Sequence, residues 1–83
     1  MKIEILGMGC PKCKKLYENA QAAVKQLSAQ AEVVKVEDIQ KIMDYGLMIT
    51  PAIVIDGEVK AAGRIPAPDE IKKWISAKEK ELL

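Results

Sequence analysis

Two cysteines, Cys10 and Cys13, carry the clearest chemistry in this sequence. They are the only cysteines among 83 residues, and Pro11 and Lys12 separate them. The pair falls where a short apolar segment, 2–6, gives way to a helical pattern. A thiol at a helix N-terminus meets unpaired backbone N–H groups and the positive end of the helix dipole, and both favour the thiolate. A second thiol one turn later can close a disulfide with the first, so the spacing indicates dithiol–disulfide chemistry.

The helical pattern gives the two thiols different surroundings. Pro11 suits the first helical position, where its missing N–H has no partner to lose, and this makes Cys10 the cap residue. Cys13 belongs to an apolar stripe, and we therefore expect it to be buried. The stripe comprises Cys13, Leu16, Ala20, Ala23, Val24, Leu27 and Ala31. The pattern thus predicts Cys10 as the attacking nucleophile and Cys13 as the resolving thiol.

Three lysines, Lys12, Lys14 and Lys15, lie in the first turns of the same predicted helix. Cations at this end of a helix oppose the helix dipole. One interpretation is that they stabilise a neighbouring thiolate, and the other is that they are solvated surface charges that favour solubility. The sequence leaves both interpretations open.

Composition limits the function classes that the chain can serve. Hydrophobic residues make up 49% of the sequence, which is typical of a globular protein, and we expect one domain over 1–83. The 13 basic and 12 acidic residues give a net charge of +1, which does not favour nucleic-acid binding. Glu4 interrupts the N-terminal apolar segment, and no apolar run approaches the roughly 20 residues that span a bilayer, so we expect a cytoplasmic protein without membrane contact. The absence of histidine removes the commonest metal ligand and the usual general base.

Seven elements follow from the periodicity of the chain. Strands are predicted over 2–6, 33–36, 52–55 and 58–62. Helices are predicted to begin at Pro11, at Ile39 after an Asp38 cap, and at Pro68.

Local signals mark the ends of these elements. Gly46 is expected to end the second helix, and Asp56-Gly57 is a strong two-residue hairpin signal. The last helix presents one apolar face, made of Ile71, Trp74, Ile75 and Leu82. The order βαβαββα predicts an α/β fold with a four-stranded mixed sheet and helices on both of its faces.

With these elements in place, the chain resembles the thioredoxin-like superfamily in its smallest, glutaredoxin-sized form. The resemblance covers essentially the whole chain. It rests on the Cys-x-x-Cys at the first strand-to-helix turn and on Ile49-Thr50-Pro51 directly before the predicted hairpin. It implies that Pro51 follows a cis peptide bond and lies against the cysteine pair, and that Thr50 pairs with substrate backbone. The implied substrate-binding residues are Gly9, Pro11, Lys12, Ile49, Thr50 and Pro51.

The resemblance also implies an activity. It implies a thiol–disulfide oxidoreductase that reduces protein disulfides without a bound cofactor or metal. The implied protein is a monomer, and an electron donor like thioredoxin reductase reduces its oxidised cysteine pair. Glu4 lies six residues before Cys10, where thioredoxins carry a buried carboxylate, and is therefore a candidate for proton transfer; the other interpretation is that it faces water. Gly9 replaces an aromatic residue that precedes the first cysteine in thioredoxins. The segment from Ala62 to Ile65 lacks the Gly-Gly-x-Asp pattern by which glutaredoxins bind glutathione.

The same residues support competing hypotheses. Met8-x-Cys10-x-x-Cys13 also fits the Cu(I) site of small copper chaperones, because soft thiolates select Cu(I), and this alternative includes another soft metal or a metalloid as the bound species. Those chaperones have the order βαββαβ, with a hairpin directly after the first helix. Zinc would need ligands from a second chain, since two cysteines supply half of a tetrahedral site. In a third hypothesis the cysteines are inert and the chain is a binding module.

Overall fold

A computed structural model describes residues 1–9, 11–46 and 49–81. Seven elements follow one another in the order βαβαββα. They are β1 (Lys2–Leu6), α1 (Pro11–Leu27), β2 (Glu32–Val36), α2 (Ile39–Asp44), β3 (Ala52–Ile55), β4 (Glu58–Ala62) and α3 (Pro68–Glu81). None of the helices in the described ranges is both long enough and apolar enough to span a bilayer.

The four strands form one mixed sheet in the order β2-β1-β3-β4. β1 pairs in parallel with β2 and antiparallel with β3, and β3 pairs antiparallel with β4. The parallel pair requires a crossover connection, which α1 supplies. The sheet and its three helices confirm the predicted α/β fold class.

Alternation along β1 divides the core between the two faces of the sheet. Ile3 and Ile5 join β3 residues in a cluster with the buried side chains of α1 and α3. Leu6 points the other way and packs with Val54 and with Ile42 of α2. Successive side chains in a strand point to opposite faces, so α1 and α3 cover one face and α2 covers the other. The prediction of helices on both faces is therefore correct.

The end of α1 differs from the prediction. The helix ends at Leu27 instead of continuing to Ala31, because Ser28 adopts a left-handed conformation with φ of 50°. Ser28 N donates to Lys25 O and the next N–H donates to Val24 O, which is the Schellman arrangement of a helix C-terminus. Ala31 packs against the core from the connection that follows.

The other boundary signals agree with the structure. Asp38 is the N-cap of α2, and its carboxylate accepts from Gln40 N at 2.9 Å. Gly46 follows α2 with φ of +74°. Asp56 and Gly57 both have positive φ, as a two-residue turn between antiparallel strands requires. The predicted contribution of Leu82 to the apolar face of α3 lies outside the described residues.

Candidate active site

The turn between β1 and α1 positions the second cysteine. β1 ends at Leu6, and Gly7 N donates to Val36 O at 3.0 Å, which ties the turn to the end of β2. α1 then begins at Pro11, as predicted. Cys13 lies on the inner face of α1 and is 6% exposed, so it is buried as the apolar stripe predicts. The structural environment of Cys10 lies outside the described residues.

Gly7 allows Cys13 to pack directly against the backbone of this turn. A Cβ atom at position 7 would overlap Cys13 Sγ and would lie 3.0 Å from Cys13 Cβ. The same Cβ would lie 3.9 Å from Thr50 Cβ. Gly7 is therefore the point at which the cysteine helix and the loop before β3 meet. The sequence signal for it was an isolated glycine between a strand and the Cys-x-x-Cys, since such glycines often mark a close backbone approach.

The loop before β3 has the conformation that the resemblance implied. The Thr50–Pro51 peptide bond is cis, and the Pro51 ring is fully buried. Pro51 O accepts from Gly63 N at 2.8 Å, which links this loop to the connection between β4 and α3. Ile49 is 61% exposed, and a Cβ at Gly63 would lie 2.7 Å from Ile49 Cγ2. The loop thus combines a buried Pro51 ring with an exposed Ile49 side chain.

The remaining predicted substrate-binding residues lie on the surface. Gly9, Pro11 and Lys12 are exposed, as is Thr50. Gly9 has φ of +81°, a left-handed conformation that glycine adopts without strain. The structure brings Thr50 into the neighbourhood of Cys13, and it places the other three around the start of α1.

A cleft of about 140 Å³ opens beside Cys13. Its lining residues come from β1 and the turn after it, from α1, and from β2 and the residue after it. They are Ile5, Gly7, Gly9, Cys13, Lys14, Lys35 and Glu37. Lys35 Nζ lies 4.7 Å from the centre of the Tyr17 ring. Sequence reasoning missed Lys35 and Glu37 because their place beside the cysteine helix depends on the parallel register of β1 and β2, in which Lys35 pairs with Ile5.

Glu4 lies on the other side of the sheet from Cys13. Its neighbours in β1, Ile3 and Ile5, face α1, so Glu4 faces α2. Its carboxylate accepts a hydrogen bond of 2.8 Å from the Tyr45 hydroxyl, and this bond raises the pKa of Tyr45. The structure therefore does not bring the Glu4 carboxylate to Cys13, and it does not leave the side chain simply facing water.

The order of elements separates the hypotheses that share these cysteines. A copper chaperone would have a hairpin directly after α1, but here α2 lies between β2 and the β3–β4 hairpin. Thr50-Pro51 also has no role in the fold of a copper chaperone. Within residues 1–9, 11–46 and 49–81, no group of three His, Cys, Asp or Glu side chains is arranged to hold a metal ion. The metal-binding alternative is not supported.

A buried cysteine on the first helix, a cis-proline loop beside it and a four-stranded mixed sheet define the class of thioredoxin-like α/β proteins. The chain belongs to the thioredoxin domain family, whose sequence profile matches residues 1–76. It is 43% identical over 76 residues to a thioredoxin of Methanothermobacter thermautotrophicus, covering 92% of this chain and 99% of that protein. It is 42% identical over 75 residues to a thioredoxin of Methanocaldococcus jannaschii, covering 90% of this chain and 86% of that protein.

The Gly7–Cys13 contact predicts the effect of an added methyl group. In a Cys10→Ser background, where Cys13 is the remaining thiol, Gly7→Ala should lower the free energy of unfolding by about 1–3 kcal/mol, as overpacking does. The displaced Cys13 sulfur should also react faster with iodoacetamide. Gly46→Ala is the control: a Cβ there would meet nothing within 4 Å, although φ is +74°. It should cost roughly 1–2 kcal/mol from backbone strain and leave the alkylation rate unchanged. An unchanged rate in Gly7→Ala would contradict the contact.

The Glu4–Tyr45 hydrogen bond predicts a change in tyrosine titration. In a Tyr17→Phe background, where Tyr45 is the remaining tyrosine, Glu4→Gln should lower the Tyr45 pKa towards its ordinary value, measured by near-ultraviolet absorbance. A raised pKa in the folded state stabilises the fold below the unfolded pKa of about 10, and this stabilisation is lost as the pH rises above it. Glu32→Gln, at an exposed position on β2, should leave the titration unchanged. An identical Tyr45 titration in Glu4→Gln would contradict the bond.

Proposed function

We propose that this protein is a thiol–disulfide oxidoreductase that reduces protein disulfides through the Cys10–Cys13 couple. The observation that carries the proposal is the placement of buried Cys13 against Gly7 beside the Thr50–Pro51 loop. Membership of the thioredoxin domain family and the two relatives named thioredoxin support the same function.

The reaction requires two exchange steps. The Cys10 thiolate attacks one sulfur of a substrate disulfide, forming a mixed disulfide and releasing the other substrate sulfur as a thiolate. The Cys13 thiolate then attacks Cys10 Sγ, which releases the second substrate thiolate and leaves a Cys10–Cys13 disulfide. The two substrate thiolates take up protons from solvent. Two electrons pass from the cysteine pair to the substrate, so the exchange itself needs no cofactor.

Burial supports the division of roles between the two sulfurs. Cys13 is 6% exposed, so a protein disulfide in solution has little access to it. A buried sulfur is suited to attack the mixed disulfide that Cys10 forms within the same protein. Cys10 directly precedes Pro11, the first residue of α1, in the sequence. It is the better candidate for the first attack, because a helix N-terminus favours the thiolate of a cysteine beside it.

The loop before β3 offers a surface for the substrate chain. Ile49 and Thr50 are exposed, while the buried Pro51 ring fixes the loop from below. We propose that an extended segment of the partner pairs with the backbone at Thr50 and lies across Gly9, Pro11 and Lys12. Glu4 has no part in this proposal, because its carboxylate lies on the α2 face.

A complete cycle requires an electron donor for the oxidised pair. We propose that an enzyme like thioredoxin reductase returns the Cys10–Cys13 disulfide to the dithiol, and that the protein acts as a monomer in the cytoplasm. The net charge of +1 and the reducing conditions of that compartment are consistent with this role.

Single cysteine variants test the proposal. With insulin as substrate and dithiothreitol as reductant, Cys10→Ser should abolish the catalysed reduction. Cys13→Ser should form a mixed disulfide with the substrate that persists, because the second attack is lost, and non-reducing electrophoresis and mass measurement should detect it.

The double variant, Cys10→Ser with Cys13→Ser, is the control for reactivity that does not involve the pair. A persistent adduct on Cys10→Ser instead of Cys13→Ser would reverse the two roles. Full activity of either single variant would contradict the two-step exchange.

A further inference from the structure

Four exposed lysines lie on α1 and β2, two of the elements that line the cleft beside Cys13. Lys12, Lys14 and Lys15 are exposed in the first turns of α1, and Lys35 is exposed on β2. Lys14 and Lys35 line the same cleft as Cys13. We call these four residues the basic rim.

Among the residues that the structure describes, the lysines of the basic rim form no ion pair. In the described part of the chain, no carboxylate lies within 4.0 Å of the ammonium groups of Lys12, Lys14, Lys15 or Lys35, and the first turn of α1 has no acidic residue. Basic side chains elsewhere do form ion pairs, as in Lys60–Glu58, Lys72–Asp69 and Arg64–Glu70. Acids thus pair with some basic side chains of the chain, whereas Glu37, which lines the same cleft, lies outside ion-pair distance of the rim lysines.

Stability of α1 does not account for the three lysines at its start. Cations near a helix N-terminus oppose the macrodipole, and acids in the same positions would favour the helix. α3 follows that rule, with Asp69 and Glu70 in its first turn. The start of α1 has lysines instead of acids, directly after the cysteine pair in sequence, which indicates that these lysines have a role other than stabilising the helix.

Lys35 extends the positive charge onto a second element. Its ammonium group lies 4.7 Å from the centre of the Tyr17 ring, a geometry in which the ring attracts the cation. Glu37 is the acidic residue that lines the cleft. Because the whole chain carries +1, the rest of the chain without these four lysines carries −3, so positive charge is concentrated at the site.

We propose that the basic rim recognises protein partners that carry acidic side chains next to their reactive disulfide. This inference rests on the proposed function. The exposed apolar side chains Met8 and Ile49 offer contacts that any extended segment can use, whereas lysines attract acidic segments and repel basic ones. Charge at the rim also steers an acidic partner towards the cysteines before contact, and such steering weakens as salt rises.

Two synthetic peptides of equal length provide the test. Each has one intramolecular disulfide, flanked by four glutamates in the first peptide and by four lysines in the second. The rate of oxidation of the reduced protein is measured by rapid alkylation and mass readout. At about 0.01 M ionic strength the acidic peptide should react about tenfold faster. At about 1 M, where the Debye length falls to about 3 Å, the two rates should agree within about twofold.

Two variants of equal net charge separate the rim from overall charge. Lys12→Gln, Lys14→Gln and Lys15→Gln together should remove most of the preference, and Lys35→Gln added to them should remove more. The control variant replaces Lys25, Lys41 and Lys73, three exposed lysines away from the cleft, with glutamine and should keep the preference. Thermal unfolding of the rim variant should occur at or above the temperature found for the control, because the dipole is no longer opposed.

Each outcome decides the inference. Equal rates for the two peptides with the unaltered protein overturn it and leave the proposed function intact. An equal loss of preference in the rim and control variants also overturns it, since overall charge would then be the cause. If the protein reduces neither peptide, the proposed function fails and the inference fails with it.

Discussion

The contact between the Gly7 backbone and the Cys13 side chain is the constraint on which the site depends. Position 7 joins β1 to the turn before α1, and its N–H donates to Val36 O, so the ends of both parallel strands are fixed there. Any larger residue at this position would overlap Cys13 Sγ. Thr50 lies close to the same point, so the cis-proline loop lies next to the start of the helix that carries Cys13.

Successive side chains of β1 point to opposite faces of the sheet, and the two faces have different contacts. The face covered by α1 and α3 carries Ile3, Ile5 and the cleft beside Cys13. The other face carries Leu6 and the Glu4–Tyr45 hydrogen bond, which ties β1 to the residue after α2. The carboxylate of β1 thus bonds to the residue after α2, while the cleft beside Cys13 on the other face is lined by Lys14, Lys35 and Glu37.

Sequence reasoning located the elements because their signals are local. The Asp38 cap, the Asp56-Gly57 turn and the proline starts of α1 and α3 each depend on a few adjacent residues. The prediction that Ala31 belongs to the apolar stripe of α1 was wrong, because the helix ends at Leu27. Ser28 adopts the left-handed conformation there, and the sequence has no glycine at that position to mark the end. The surroundings of the Glu4 carboxylate could not be predicted, because β1 has apolar side chains on both of its faces. Glu37 and Lys35 escaped notice because they reach the cleft through pairing between strands that are distant in sequence.

If Cys10 and Cys13 form one reversible dithiol–disulfide couple, that couple has a measurable equilibrium reduction potential. The reduced protein is titrated anaerobically against a dithiothreitol redox couple, with alkylation and mass measurement at each potential. We expect a reversible two-electron transition between roughly −300 and −120 mV, with an intramolecular disulfide as its product. If no intramolecular disulfide forms, or if only intermolecular ones form, Cys10 and Cys13 are not a redox couple.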